Sequence, residues 1–587
     1  MLFGKYINKY YLIFSWALIL GVAALVAVDV YQLKIPEIYS TIIDGLKEGT
    51  KVPLTSDLLM SLIKEMFVIV GVLVIGRILW RVFFFGSAIK AATRIREEMF
   101  DHCKDLPQEF YSKNKVGNLM SLFTNDLGTI QECFGDGMLM FFDALVLGGM
   151  AIYKMFKLNT NLALLSIIPL ILLLLIGIVV GGYMEKKWRL RQEAFSTLSD
   201  FSQESFSGIS VIKAFVKEGK ELFNFKKLNK DNENANITFV KASTLLHILI
   251  TLLVGTVTCL ILGVGGYLVY IDVEGFTVGK LIEFMSYFGS TVWPMMAISS
   301  LIDMTSRGKA SLKRITDLLE YQNNINDKKD VIEIDNIKGE IEFKNLSFRY
   351  PEAEHDVLHN ISFKIKSGEN IGVVGKTGCG KTTLVDLILR LYNVKDGTLF
   401  IDGHDINDIP IKTVRKYCSY VPQDNFLFSD TIESNIAFAF ESVDKEKVQE
   451  AAKLADVHGN IIEFEKQYET ILGERGVTIS GGQKQRTSIA RALMKDSSVL
   501  ILDDSVSAVD TKTEEIILNN LEKTRKGKTT ILIAHRISTI QGLDKILFMD
   551  EGRVIAFDSH DNLYKNCKEY AKMVDLQKLE QEDGGIE

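Results

Sequence analysis

The stretch Gly375-Lys-Thr-Gly-Cys-Gly-Lys-Thr382 lies between an apolar run, Ile371-Gly372-Val373-Val374, and a helix-like segment, Thr383-Leu-Val-Asp-Leu-Ile-Leu389. Strand, glycine-rich loop and helix in that order are what a phosphate-binding loop requires. Gly375, Gly378 and Gly380 let backbone N–H groups of the loop, Lys376, Thr377 and Cys379 included, close around an anion. The N-terminus of the helix begun by Thr382 and Thr383 adds a macrodipole that favours negative charge. Lys381 then reaches the β- and γ-phosphates, and the Thr382 hydroxyl is placed to hold Mg²⁺. The expectation is a site for a nucleoside triphosphate, ATP, with Mg²⁺ as its metal.

At 587 residues the chain exceeds one ordinary domain. Its net charge of −7 is modest and carries no nucleic-acid footprint. The halves differ: up to about residue 305 there are long uncharged stretches, and beyond it a soluble α/β pattern with frequent Lys, Asp and Glu. The six cysteines are scattered, with no C-x-x-C pair, which argues against a zinc site or a disulfide framework and fits a reducing cytosol. Cys379 sits inside the phosphate loop, where a thiol reagent could block nucleotide. The simpler reading is a small residue in a tight turn.

A membrane-spanning helix needs about 20 apolar residues. Six stretches qualify, near Tyr10–Leu33, Met66–Ala88, Met138–Phe156, Leu162–Met184, Leu245–Tyr270 and Leu281–Ile302. The first is too long, and lacks the small-residue site, for a cleaved signal peptide. Lys5 and Lys9 precede it, and Lys186, Lys187, Arg189 and Arg191 follow the fourth. Positive-inside bias therefore puts both termini in the cytoplasm of a multi-pass plasma-membrane protein in contact with lipid. The connections near Ile89–Asp136 and Glu185–Phe239 are long, charged and helical in pattern, so the membrane helices are expected to continue into the cytosol. Glycines interrupt them in Phe110-Tyr-Ser-Lys-Asn-Lys-Val-Gly-Asn-Leu and in Glu204-Ser-Phe-Ser-Gly-Ile-Ser-Val-Ile-Lys-Ala-Phe, which mark candidate contact elements for the second half.

Ionisable groups inside spans are functional candidates by default. Asp29, Arg77, Arg81, Asp143 and Glu283 qualify, several of them near a span end where snorkelling is cheap. Asp143 and Glu283 facing a central cavity would attract cationic substrates. A structural pair, such as Arg77 with Asp143, is the equal alternative.

After a charged, helix-like connector from Arg307 to about Asn336, Ile341-Glu-Phe-Lys-Asn-Leu-Ser-Phe-Arg-Tyr alternates as a half-buried strand does. Tyr350 at its end is a candidate to stack on adenine, a contact worth about 1–3 kcal/mol. Ser498-Val-Leu-Ile-Leu-Asp503 reads as a buried parallel strand presenting a Mg²⁺-binding carboxylate at its end. Ser480, Gly481, Gly482 and Gln483 open a further helix. They form a second anion-binding N-terminus without a phosphate-loop lysine, which suggests a nucleotide held by another chain.

The order Tyr350, GKTGCGKT, Gln423 in Val-Pro-Gln-Asp, Gly473-Glu-Arg-Gly, SGGQ, LILDD, Ser507-Ala-Val-Asp510 and His535 resembles an ATP-binding cassette (ABC) nucleotide-binding domain. With six spans ahead of it, the chain is similar to an exporter-type ABC half-transporter. The stretches Tyr287…Trp293-Pro-Met-Met-Ala, Arg307-Gly-Lys-Ala-Ser-Leu-Lys-Arg-Ile and ESFSGISVIKAF resemble bacterial multidrug exporter halves. The resemblance implies a six-helix membrane domain (1–320), a connector (321–340), an α/β P-loop NTPase domain of ABC type (341–575) and an acidic tail (576–587). It implies a head-to-tail dimer with each ATP between one chain's phosphate loop and the other's SGGQ. Lys381 and Thr382 would bind phosphates and Mg²⁺, with Asp503 and Gln423 beside the metal. Gln423 would also sense the γ-phosphate and couple to the membrane half, and His535 would contact that phosphate. Glu474 would link to the partner's cytoplasmic loops, and Asp510 would shape the dimer seam.

One position departs from the family. It places a glutamate after the strand carboxylate as general base, and here that residue is Asp504. The shorter side chain withdraws the carboxylate by about one C–C bond, roughly 1.5 Å. An error of about 1 Å can cost on the order of 10²-fold in rate. The chain is therefore expected to supply the degenerate, slowly hydrolysing site of a heterodimeric exporter of hydrophobic or cationic small molecules. Its intact signature would serve a partner chain with its own glutamate. The alternatives are a homodimeric lipid or peptide exporter using Asp504 as base, and an ATP-binding regulatory subunit without turnover.

Overall fold

Long helices build the first half of the chain in the computed structural model, which describes residues 4–46, 53–271, 273–473, 476, 478–506 and 509–583. Two units result: Met1–Lys104 with Val116–Tyr321, and Asp105–Lys115 with Gln322–Glu587. In chain order the helices of the first half are α1 (Lys5–Ile13), α2 (Ser15–Gln32), α3 (Ile35–Gly45), α4 (Ser56–Lys104), α5 (Gln108–Lys113), α6 (Val116–Ser121), α7 (Leu127–Leu158), α8 (Thr160–Ser207), α9 (Ile209–Ala214), α10 (Glu218–Tyr270) and α11 (Val278–Leu319). A π-helical turn, Leu122–Asp126, joins α6 to α7.

Among the described residues, Ser15–Gly45, Ser56–Lys104, Val116–Leu158 and Glu218–Tyr270 are long and apolar enough to cross a membrane. The other two expected spans lie in α8 and α11, both continuous helices, and the side chains of 172–181 are outside the described residues. In α11 the hydroxyls of Ser286, Ser290 and Thr291 return to their own helix's carbonyls, so its polar residues cost little inside an apolar unit. Glycine lets α2 and α4 touch: a Cβ on Gly76 would sit 2.5 Å from Val28. On the outer side of α4, Phe67, Ile75 and Val82 are exposed, as a lipid-facing surface requires. Most of these helices outrun the membrane length; α10 has 53 residues.

Asp29, Asp143 and Glu283 are buried in this unit. The Trp293 indole donates to Asp143 at 2.6 Å, and Tyr287 donates to Glu283 at 2.9 Å. The Arg77–Asp143 pair considered from the sequence does not form. Arg77 lies on the exposed side of α4 and donates to Gln32 at 3.3 Å, whereas Asp143 interacts with Asp29 on α2.

The second unit is built on two sheets. The strands are β1 (Ile341–Phe348), β2 (Leu358–Ile365), β3 (Asn370–Gly375), β4 (Leu399–Ile401), β5 (His404–Asp405), β6 (Cys418–Val421), β7 (Val499–Asp503), β8 (Thr529–Ile533), β9 (Lys545–Asp550) and β10 (Arg553–Asp558). A four-stranded antiparallel sheet has the order β2-β1-β4-β5, and a six-stranded sheet the order β10-β9-β3-β8-β7-β6. From β9 to β6 the second sheet is parallel. All five residues of β7 and of β8 are buried, which explains their near-continuous apolar sequence.

The connector is not helical to Asn336. The helix ends at Leu319, and the following asparagines favour turns: Asn323 Oδ1 accepts from the Ile325 N–H at 2.9 Å. Residues 321–340, expected as a separate linker, lie almost wholly in the second unit, where Lys328 pairs with Asp408 at 2.7 Å. The segment expected as an acidic tail from 576 continues the helix Lys568–Asp583, whose Tyr570 and Val574 are fully buried.

Candidate functional site

Strands β6, β7, β8 and β3 run parallel as neighbours, so their carboxyl ends share one edge. Chain segments leaving that edge form a cleft, the usual ligand position in such sheets. Gly375 ends β3 and starts the phosphate loop, Asp503 ends β7, Gln423 lies two residues beyond β6, and His535 two beyond β8. Thr377, Gly378, Gly380, Lys381, Thr382, Thr383, Gln423, Asp503, Asp504 and His535 line this one cleft. Residues separated by over a hundred positions thus converge because the strand order, not the chain order, sets the edge.

The loop's shape depends on its glycines. A Cβ on Gly375 would lie 2.1 Å from the Met549 carbonyl oxygen, and Gly380 adopts φ 94° against Leu358. Lys381 Nζ donates to the carbonyls of Gly375 at 2.8 Å and Lys376 at 3.0 Å, which holds the ammonium over the loop. Lys376 points away, into an ion pair with Asp550 at 3.2 Å. Cys379 is buried, and burial raises its thiol pKa, so it fills the turn and is poorly reactive.

Asp503 is 1% exposed, and its Oδ2 has no hydrogen-bond partner among the described residues. Burial pushes its carboxyl above the ordinary range, the Thr382 hydroxyl draws it back, and Asp504 pushes it up again. A buried orphan carboxylate oxygen beside a hydroxyl and the Gln423 amide is an oxygen donor set that suits a small, hard cation. Asp504 follows with a left-handed backbone, φ 45°, its N–H bonded to the Ile533 carbonyl at 3.0 Å. Its Oδ2 stands 3.8 Å from His535 Nε2.

Tyr350 is not an open platform. Its hydroxyl bonds Thr383 at 3.0 Å and Asp386 at 3.2 Å, and its ring packs edge-on against Phe348 and Tyr392. Burial raises the Tyr350 hydroxyl to about 12 and the Asp386 carboxyl to about 6. Ser480 to Gln483 do not line the cleft. They cap their own helix, Gly481–Met494, with a capping box in which Ser480 accepts from the Gln483 N–H at 3.3 Å and Gln483 from the Ser480 N–H at 3.0 Å. Ser480 and Gly481 stay exposed. Asp510 caps the helix Thr511–Thr524. Glu474 and Ser507 lie outside the described residues.

Three residues that sequence reading passed over touch this site. Asp386 holds Tyr350. Gln485, 3% exposed, donates to the Asp504 carbonyl at 3.1 Å. Gln577 donates to the His535 carbonyl at 2.8 Å. The local signal for Gln485 was its place five residues into the signature helix, on the face that is buried. Of the two candidate contact elements, α5 belongs to the second unit, where Phe110 is buried and Lys113 approaches Glu352 at 3.9 Å. The other, around α9, leaves Phe206, Val211 and Phe215 exposed.

Comparison with known proteins agrees with this architecture. Residues 18–295 match the family described as "ABC transporter transmembrane region", and residues 358–507 match the family described as "ABC transporter". The chain is 35% identical to the probable multidrug resistance ABC transporter ATP-binding/permease protein YheI of Bacillus subtilis, over 99% of this chain and 98% of that one. It is 33% identical to the multidrug resistance-like ATP-binding protein MdlA of Escherichia coli, over 96% and 95%. A bacterial Atm1-family ABC exporter solved with ATP bound shares the fold, with TM-score 0.76, 24% identity and coverage of 97% and 98%. The chain belongs to the ABC transporters, with transmembrane region and transport-coupled ATPase fused in one polypeptide.

Proposed function

We propose that this chain is one half of a heterodimeric exporter of hydrophobic or cationic small molecules, and that its own ATP site hydrolyses slowly. Asp504 carries the reading. A general base must reach the attacking water, and here the carboxylate is one methylene shorter than a glutamate and lies toward His535 at 3.8 Å. Within the cleft, Lys381 and the loop N–H groups of Lys376 to Thr383 bind phosphate, and His535 faces the γ-phosphate. Tyr350 is joined to the cleft through its hydroxyl on Thr383. Thr382, Gln423 and Asp503 would hold Mg²⁺, which when bound neutralises charge on the β- and γ-phosphates. The Ser480-Gly-Gly-Gln483 helix start, exposed at Ser480 and Gly481, would meet a nucleotide bound by the partner, whose own glutamate would serve the competent site.

The names of the Bacillus and Escherichia relatives support multidrug-type export, and the buried Asp29, Asp143 and Glu283 support cations among the cargo. Positive charge before the first span and after the fourth supports cytoplasmic termini in a plasma membrane. A second reading, lipid export, is favoured by 32% identity over 82% of the chain to an ATP-dependent lipid A-core flippase of Syntrophus aciditrophicus. Mild purification of the full-length chain from its native membrane tests the assembly. The expected result is co-purification of a second ABC half-transporter carrying glutamate at the position of Asp504. A homodimer with full ATP turnover contradicts the proposal.

A further inference from the structure

We propose that Gln577 is a positioning residue for His535, so that the C-terminal helix sets how firmly that histidine is presented to nucleotide. The inference rests on reading His535 as the γ-phosphate contact.

Tyr570 and Val574 are 0% and 2% exposed, and their spacing of four residues puts one face of the helix Lys568–Asp583 into the core. Gln577 comes three residues after Val574 and continues that face, while Leu576 and Leu579 beside it are exposed. Its carboxamide spans the segment after β8. Nε2 donates to the His535 carbonyl at 2.8 Å, and Oε1 accepts from the Ile537 N–H at 2.8 Å. Ile537 begins the short helix Ile537–Ile540, so this N–H has no carbonyl of its own helix to bond. One side chain therefore fixes the backbone on both sides of Arg536. The His535 imidazole projects from that backbone, 41% exposed and 3.8 Å from Asp504. Only a group with both donor and acceptor makes this bridge. Glutamate keeps the acceptor for Ile537 and loses the donor; leucine loses both.

The test uses the full-length chain, with affinities for ATP and ADP measured by competition against a fluorescent nucleotide, and hydrogen exchange followed at Ile537. His535→Ala is the control and should lower the preference for ATP over ADP. Gln577→Leu should lower that preference several-fold, by less than His535→Ala does, leave ADP affinity unchanged and speed exchange at Ile537. Gln577→Glu should give an intermediate loss with Ile537 still protected, and it remains informative if the leucine variant folds poorly. If His535→Ala lowers the preference and neither Gln577 variant does, the inference is overturned. Equal weakening of both nucleotides with a lower melting temperature also overturns it, since that is a structural role alone. If His535→Ala itself changes nothing, the reading of His535 fails first.

Discussion

At Asp386 burial and the Asp503 charge work against ionisation, and the Tyr350 hydroxyl works for it; the carboxyl ends at about 6 against an ordinary 3.8. A folded-state pKa above the unfolded one means that the native state binds the extra proton. Stability in the nucleotide-free chain therefore falls as pH rises from about 4 through about 6. Asp386→Asn removes that loss and should stabilise the ATPase unit by about 1–3 kcal/mol above pH 6, with little effect near pH 4. Thermal melts at the two pH values check it, and an equal effect at both contradicts the assignment. Cys379, buried in the phosphate loop, should react with maleimide far more slowly in the native chain than after unfolding, and Cys379→Ala should keep nucleotide binding. Labelling followed by peptide mapping decides this. Lys381, Thr382, Asp503 and Asp504 were legible in the sequence because each sits in a short local pattern. Gln577 was not, because its partners lie 40 and 42 residues back and only the docking of its helix brings them together.

Elements were legible where one period dominates. The Val499–Asp503 run reads as a buried parallel strand, and β1 shows its alternation despite the register shift between Phe343 and Leu346. The connector was misread because charge and length resemble a helix, while Asn323 and its neighbours bond their own backbone. Pairing across helices was equally hidden: that Asp143 meets Asp29 and Trp293, not Arg77, depends on rotation about the helix axes. Backbone approach can be tested at β3. Gly375→Ala would drive a Cβ into the Met549 carbonyl oxygen on β9, where a strand partner cannot move aside. The expected cost is about 1–3 kcal/mol, with loss of nucleotide affinity, read by thermal melting and nucleotide titration. An unchanged melt and titration contradict the close approach.

For the whole molecule, the fold class and the order of membrane half before ATPase half were legible end to end. What is transported was not, because apolar helices carry no pattern that names a cargo. If the buried carboxylates bias the transporter toward cations, Asp143→Asn should lower export of a permanently charged aromatic cation several-fold, with neutral hydrophobic dyes unaffected. Equal loss of both in inverted vesicles assigns Asp143 to structure alone. Whether Asp504 is a poor base is decided by steady-state ATP hydrolysis of the full-length chain, concentrated enough to dimerise, beside Asp504→Glu. The wild-type rate should be lower by on the order of 10²-fold and be restored by the glutamate. A wild-type rate equal to that of Asp504→Glu contradicts it and makes the homodimeric pump the better description.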